Sequence, residues 1–133
     1  MKVLAYNLRD GAQHTYGELV NFIQTQQPDI LCLQEANDWQ LGSPTRLETF
    51  AAATQYDHWQ FGDSNTQFKL VTFSKIPLID ASSVRHGFWH SAVKITIMHH
   101  DTPLTIWNVH LDPRTEESRL QEVQRLLAIV HKT

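Results

Sequence analysis

Three polar signatures stand at the ends of apolar, strand-like runs. They are Asn7 after Lys2-Val3-Leu4-Ala5-Tyr6, Gln34-Glu35 after Asp29-Ile30-Leu31-Cys32-Leu33, and Asn108-Val109-His110-Leu111-Asp112 after Leu104-Thr105-Ile106-Trp107. In an open α/β sheet, groups just beyond the carboxyl ends of neighbouring strands converge in one crevice. Their chemistries are complementary. Glu35 offers hard carboxylate oxygens suited to magnesium, which keeps several waters and takes one or two carboxylates from a protein. Asn7 carries a neutral amide able to accept from and donate to a phosphate or a metal-bound water. His110 lies two residues beyond Asn108, on the same strand face, and can donate to a phosphate oxygen or protonate a leaving group. The set points to metal-dependent cleavage of a phosphate ester.

Each residue taken alone has a plainer reading. Glu35 reads as an exposed loop carboxylate, Asn7 as a turn residue, and His110 as one structural histidine among eight. Their joint placement at strand ends outweighs these. Asp112 reads as the cap of the last helix, with Pro113 at its first position. Ser74-Lys75-Ile76-Pro77 reads as a strand-ending turn, His86-Gly87-Phe88-Trp89-His90 as an exposed aromatic turn, and His99-His100-Asp101 as a hairpin turn. Trp39, Trp59 and Trp107 read as packing residues. No zinc pattern, phosphate-binding glycine loop or dinucleotide fingerprint is present, so no nucleotide cofactor is expected.

The elements that must position these groups follow from periodicity. Residues 2–8 read as a buried strand. Thr15 and Glu18 form a capping box for a helix with Tyr16, Leu19, Val20 and Ile23 on one face. Pro28 stops that helix, and residues 29–33 form a strand apolar on both faces, parallel to the first. A second helix follows Gly42-Ser43-Pro44, capped by Ser43 or Thr45, with Leu47, Phe50 and Ala51 inward. Five β segments, at 56–61, 68–74, 78–85, 89–98 and 103–111, predict an antiparallel meander, its clearest alternation at Val93, Ile95 and Ile97. Residues 114–130 predict a final helix carrying Leu120, Val123, Leu126, Leu127 and Val130 at helical spacing, with Glu116 and Glu117 in its first turn.

Composition limits the class. The chain has 133 residues, 41% hydrophobic and 19% charged, and a net charge of −3 with histidines neutral. That is one globular domain without the basic field of a strong non-specific nucleic-acid binder. Cys32 is alone and sits in an apolar run, so it reads as a core residue. No run of 18 apolar residues spans a membrane and no leader-like segment opens the chain, so a soluble chain is expected, with a cytoplasmic location favoured.

The blocks Tyr6-Asn7-Leu8-Arg9-Asp10-Gly11, Pro28-Asp29-Ile30-Leu31-Cys32-Leu33-Gln34-Glu35, Ser74-Lys75-Ile76-Pro77 and Asn108-Val109-His110-Leu111-Asp112 resemble, in order and spacing, those of the endonuclease/exonuclease/phosphatase superfamily. The resemblance implies an α/β fold, half of a four-layer α/β/β/α sandwich with a mixed sheet flanked by helices. It implies a metal-dependent phosphoesterase using Mg2+ (or Mn2+), with Glu35 and Asn7 toward the metal, Asn7 and Asn108 orienting, and His110 on the phosphate. The substrate is a phosphate ester, and nucleic acid, phospholipid and phosphoinositide all remain open.

The family's domain is considerably longer, its second half supplying an Asp-x-Asn motif and an Asp-His pair that do not follow His110 here. Residues 1–133 are therefore expected to be a single, truncated domain with its C-terminal half missing. Such a piece is expected to be inactive alone and to self-associate through an exposed inner sheet face near Val93, Ile95 and Ile97. The rival reading is a catalytically inactive remnant acting as a binding or interaction module. A nucleic-acid-binding module is a third, which the acidic balance disfavours.

Overall fold

The computed structural model describes residues 1–132. Strand β1 (Val3–Asn7) and strand β2 (Ile30–Gln34) run parallel in register, Val3 beside Ile30 and Asn7 beside Gln34, with helix α1 (Tyr16–Gln26) as the crossover that a parallel pair requires. β2 is apolar on both faces because both faces are covered. Leu31 and Leu33 pack with Leu19 and Ile23 of α1 and with Leu47 and Phe50 of helix α2 (Arg46–Thr54). Ile30 and Cys32 face the other way, against Ile95 and Ile97 of a second sheet.

The first sheet is completed by β3 (His58–Gly62) and β4 (Leu70–Ser74) in the order β1-β2-β4-β3. The second is an antiparallel run of β5 (Leu78–Val84), β6 (Ala92–His99) and β7 (Thr102–Val109). The single meander expected over the β-rich stretch is thus corrected: β3 and β4 leave it to pair beside β2. Val71 and Phe73 of β4 are needed there to extend the surface under Phe50 and Tyr56. With α3 (Glu116–Val130), two facing sheets and three helices give the expected α/β sandwich class.

Several local expectations are overturned. β1 is not buried: Val3 is 48% and Tyr6 45% exposed, because the strand pairs only with β2 and its other edge is open. Val93, Ile95 and Ile97 are all 0% exposed, since the two sheets close on each other within this chain. The exposed face foreseen for self-association is therefore not this one.

The Thr15 side chain makes no cap bond, and α1 starts on the Leu19 N–H to Thr15 carbonyl bond. Asp112 does not cap α3, its Oδ1 instead accepting the Arg114 N–H at 2.9 Å: α3 begins on Thr115, whose hydroxyl accepts from the Ser118 N–H at 3.0 Å. α3 also presents the opposite side from the one its periodicity predicts. Glu122 is buried while Leu120 and Leu127 are 57% and 50% exposed, because Glu122 accepts backbone N–H groups of Trp89 and Asp112 and so fixes the helix rotation.

Among the described residues no helix is long and apolar enough to cross a membrane. The Ser74 hydroxyl accepts the Ile76 N–H at 3.0 Å, which makes Ser74-Lys75-Ile76-Pro77 the structural turn it was read as.

The two sheets approach closely at Gly62, where a Cβ would stand 2.3 Å from Val93 Cγ2. Val93 is wholly buried and β-branched, so it has little room to rotate away. Gly62→Ala is expected to cost about 1–3 kcal/mol in denaturant unfolding. Adding Val93→Ala should recover part of that cost, and strictly additive effects would contradict the contact.

Candidate active site

The ends of β1, β2 and β7 meet. Beyond the Asn7–Gln34 pair, the Leu8 N–H donates to the Gln34 carbonyl at 2.9 Å, and the Asn7 side-chain oxygen accepts the Arg9 N–H at 2.8 Å in a tight turn. Gln34 reaches across to the second sheet, its Nε2 donating to Asn108 Oδ1 at 2.8 Å. Asn108 is 2% exposed, and its NH2 is shared among the Leu33 carbonyl (3.1 Å), the Val71 carbonyl (3.1 Å) and Thr72 Oγ1 (3.3 Å). The whole amide is committed to joining the two sheets.

Glu35 follows β2 with a φ of 59°, the left-handed region that a β-carbon disfavours. Bonds on either side hold it there: Leu8 N–H to the Gln34 carbonyl, and Ala36 N–H to the Lys69 carbonyl at 2.8 Å. Its half-buried carboxylate has no hydrogen bond or ion pair among the described residues. The loop after β1 packs on the loop after β2, where Trp39 Nε1 donates to the Gly11 carbonyl at 3.0 Å. Gly11 (φ 82°) is required there, for a Cβ would stand 2.9 Å from the Asn37 carbonyl oxygen.

His110 lies just past β7, and its surroundings contain a residue that the sequence reading misplaced. His90, taken as part of an exposed turn, is 1% exposed and stacks on His110 with ring centroids 4.1 Å apart and planes 11° from parallel. Phe88 is buried as well, and only Trp89 of that segment's aromatic pair faces solvent. A signal existed: continuing the β6–β7 register one and two steps past Ala92–Val109 sets Ser91 opposite His110 and His90 opposite Leu111, which brings His90 beside His110.

Burial pushes the His90 pKa down to about 4, the nearby His110 ring adds to the depression, and Asp112 opposes it. His110 is also lowered, by burial above all, with Glu35 and Glu122 acting in the raising direction. Both rings are therefore neutral at neutral pH, and Glu35 stands near enough to His110 for its charge to be felt.

Behind the pair, Asp112 is buried and accepts two-pronged bonds from Arg114, which hold its carboxyl down at about 2. The Arg114 guanidinium lies 3.7 Å over the Trp89 ring. Among the described residues no three His, Cys, Asp or Glu side chains form a ready metal cage. A cation at Glu35 would take amide oxygens and water for its other ligands.

The chain matches the endonuclease/exonuclease/phosphatase family over residues 4–132. It belongs to that family. No curated protein sequence matches it, but solved structures do. One is an endonuclease/exonuclease/phosphatase family protein from Leptotrichia buccalis, with TM-score 0.70 and 16% identity over 96% of this chain and 62% of that one. Another is a D. rerio TDP2 humanized by 14 mutations, with TM-score 0.72 and 13% identity over 99% of this chain and 58% of that one. A third is a truncated Caenorhabditis elegans TDP2, with TM-score 0.70 and 15% identity over 99% and 57%. At these identities the likeness is one of fold. The domain described here spans about three fifths of each of them.

Two outcomes test the geometry. Asn108→Leu, similar in size but unable to bond, removes every hydrogen bond this amide makes between the sheets and leaves Gln34 Nε2 only its 3.3 Å bond to the Cys32 carbonyl, and is expected to cost about 1–3 kcal/mol in chemical denaturation. An unchanged midpoint would show that the sheets are not held by this amide. The second concerns pH. A histidine whose folded pKa falls from 6.5 to about 4 binds fewer protons folded than unfolded between those values. Its contribution to stability is whole above about pH 6.5 and declines as pH falls toward about 4. Replacing His90 by Phe should flatten that part of the stability-versus-pH curve, and identical curves would rule the effect out.

Proposed function

We propose that this chain contributes the cation-binding and phosphate-binding residues of a phosphoesterase, in which water attacks phosphorus with Mg2+ (or Mn2+) bound. The observation that carries the reading is Glu35: an unpaired, half-buried carboxylate held in left-handed backbone at the end of β2, within electrostatic reach of His110. Held strain of this kind clusters at functional sites. The donor set fits a hard cation, since Glu35, Gln34 Oε1 and the second lone pair of Asn7 Oδ1, beyond its bond from the Arg9 N–H, are all oxygen donors. When bound, such a cation supplies charge neutralisation for the phosphoryl oxygens.

The chain's own groups do the positioning. Asn7 has its oxygen anchored by the Arg9 N–H, which turns the NH2 into the donor available to a phosphate or a water. His110 donates from its ring to a phosphoryl oxygen, and as a neutral imidazole it does so at neutral pH. Asn108 acts by fixing the end of β7, and with it His110, because its amide has no bond left to give.

The substrate class is a phosphate ester, whether in nucleic acid, phospholipid or phosphoinositide, and the loops around the crevice set the choice. Likeness to TDP2 structures supports a phosphodiesterase-type activity. With no group of three or more His, Cys, Asp or Glu around Glu35 among the described residues, the isolated chain is expected to hydrolyse phosphodiesters negligibly.

The test therefore reads the metal first. Manganese titrated into the isotopically labelled chain is expected to broaden the amide signals of Asn7, Gln34 and Glu35 ahead of others, and Glu35→Gln to abolish that preference. In a longer protein carrying this domain, magnesium-dependent hydrolysis should fall about 100-fold or more in Glu35→Gln. Equal broadening and equal rates in both proteins would remove Glu35 from the mechanism.

A further inference from the structure

His90 has no path of its own to a substrate. It is 1% exposed, its Nε2 is buried without a partner, and its Nδ1 is 2.7 Å from the Thr66 hydroxyl. Yet it is elaborately held. Thr66 Oγ1 also accepts the Phe68 N–H at 3.2 Å and touches the Ser64 hydroxyl at 3.3 Å, while Ser64 Oγ accepts the Thr66 N–H at 3.2 Å. The Phe68 ring stands edge-on to both imidazoles, at 86° to His90 and 78° to His110. A core position needing only apolar filling would have no use for this anchor.

What the anchor fixes is the face on which His110 lies. Parallel rings 4.1 Å apart, with Phe68 across their edges, leave His110 little freedom to turn about its ring bond. The two nitrogens of His110 differ. Nδ1 is buried without a partner, whereas Nε2 makes no bond and stays accessible. Placing the proton on Nδ1 would bury an unpaired N–H, so the neutral ring keeps it on Nε2, the nitrogen open to a ligand.

We propose that His90 is a positioning residue for His110, locking by face-to-face stacking the ring plane and the Nε2–H tautomer with which His110 meets a phosphoryl oxygen. The inference rests on the phosphoesterase reading only for what His110 meets. The groups around the stack are consistent with two neutral rings. Glu35 after β2 and Glu122 on α3 face His110, Asp112 faces His90, and Arg114 holds Asp112 in an ion pair. Two cationic rings at this separation would repel, so at least one must be neutral for the stack to persist.

Imidazole nitrogen signals in the histidine-labelled chain read the tautomer directly, and inorganic phosphate serves as the ligand probe. In the wild-type chain His110 is expected to show one dominant Nε2–H form whose signals shift with phosphate. His90→Ala should move those signals toward a tautomer average and weaken phosphate binding about 5-fold, the scale of one hydrogen bond. His90→Phe, which keeps the stacking face, should restore most of the tautomer preference. Thr66→Val, which leaves both rings in place and removes the anchor, should fall between them and serves if the alanine variant does not fold. Signals of His110 unchanged in His90→Ala, or in Thr66→Val where that variant stands in, overturn the inference. A wild-type chain whose His110 ignores phosphate counts against the phosphoesterase reading instead, and the tautomer signals still decide the role of His90.

Discussion

The site depends on one buried amide. Asn108 accepts from Gln34 and donates to two carbonyls and a hydroxyl of the facing sheet, in a layer whose buried apolar residues include Ile30, Cys32, Ile95 and Ile97. Apolar packing alone would hold two sheets together, but it is non-directional and leaves small sliding motions cheap. Hydrogen bonds in a low-dielectric layer are not indifferent to sliding, since each lost bond strands a buried polar atom. Asn108 therefore does for register what the aliphatic side chains do for cohesion. It sets the end of β7 over the end of β2, and that alignment brings His110 near Glu35.

Around this fixed point the electrostatics are arranged by burial more than by ion pairing. The histidines are kept neutral because water is excluded from their faces, although three carboxylates lie nearby. One of those carboxylates, Asp112, is balanced by Arg114; another, Glu122, is spent on backbone N–H groups. Glu35 alone is left without a partner among the described residues, on a strained backbone that the neighbouring strand bonds enforce. The same bonds that build the sheet thus leave one acid uncommitted at its edge.

The outer surfaces carry a different message. The open edge of β1, with Val3 and Tyr6 half exposed, and the outward Leu120 and Leu127 of α3 set apolar side chains at the surface. This chain spans about three fifths of the structures it resembles. Both surfaces lie away from the inter-sheet layer, which is closed within the described residues.

By itself the sequence determined the local chemistry: which runs are strands, that β2 is covered on both faces, that β1 and β2 are parallel, and that Asn7, Gln34-Glu35 and Asn108-Val109-His110 end strands. These are properties of near neighbours along the chain, where periodicity and helix breakers act. It could not show that β3 and β4 join the first sheet, because strand pairing is chosen by which apolar faces remain uncovered. Nor could it show which side of α3 turns inward, since a single buried acceptor, Glu122, outweighed the leucine stripe. Asn108 read as an orienting residue of the site, and its bonds to Leu33, Val71 and Thr72 were hidden because those partners are distant in sequence. His90 looked like surface because burial is a property of what lies opposite, and only the β6–β7 register, with Phe68 and Thr66 closing over it, put a second ring against His110.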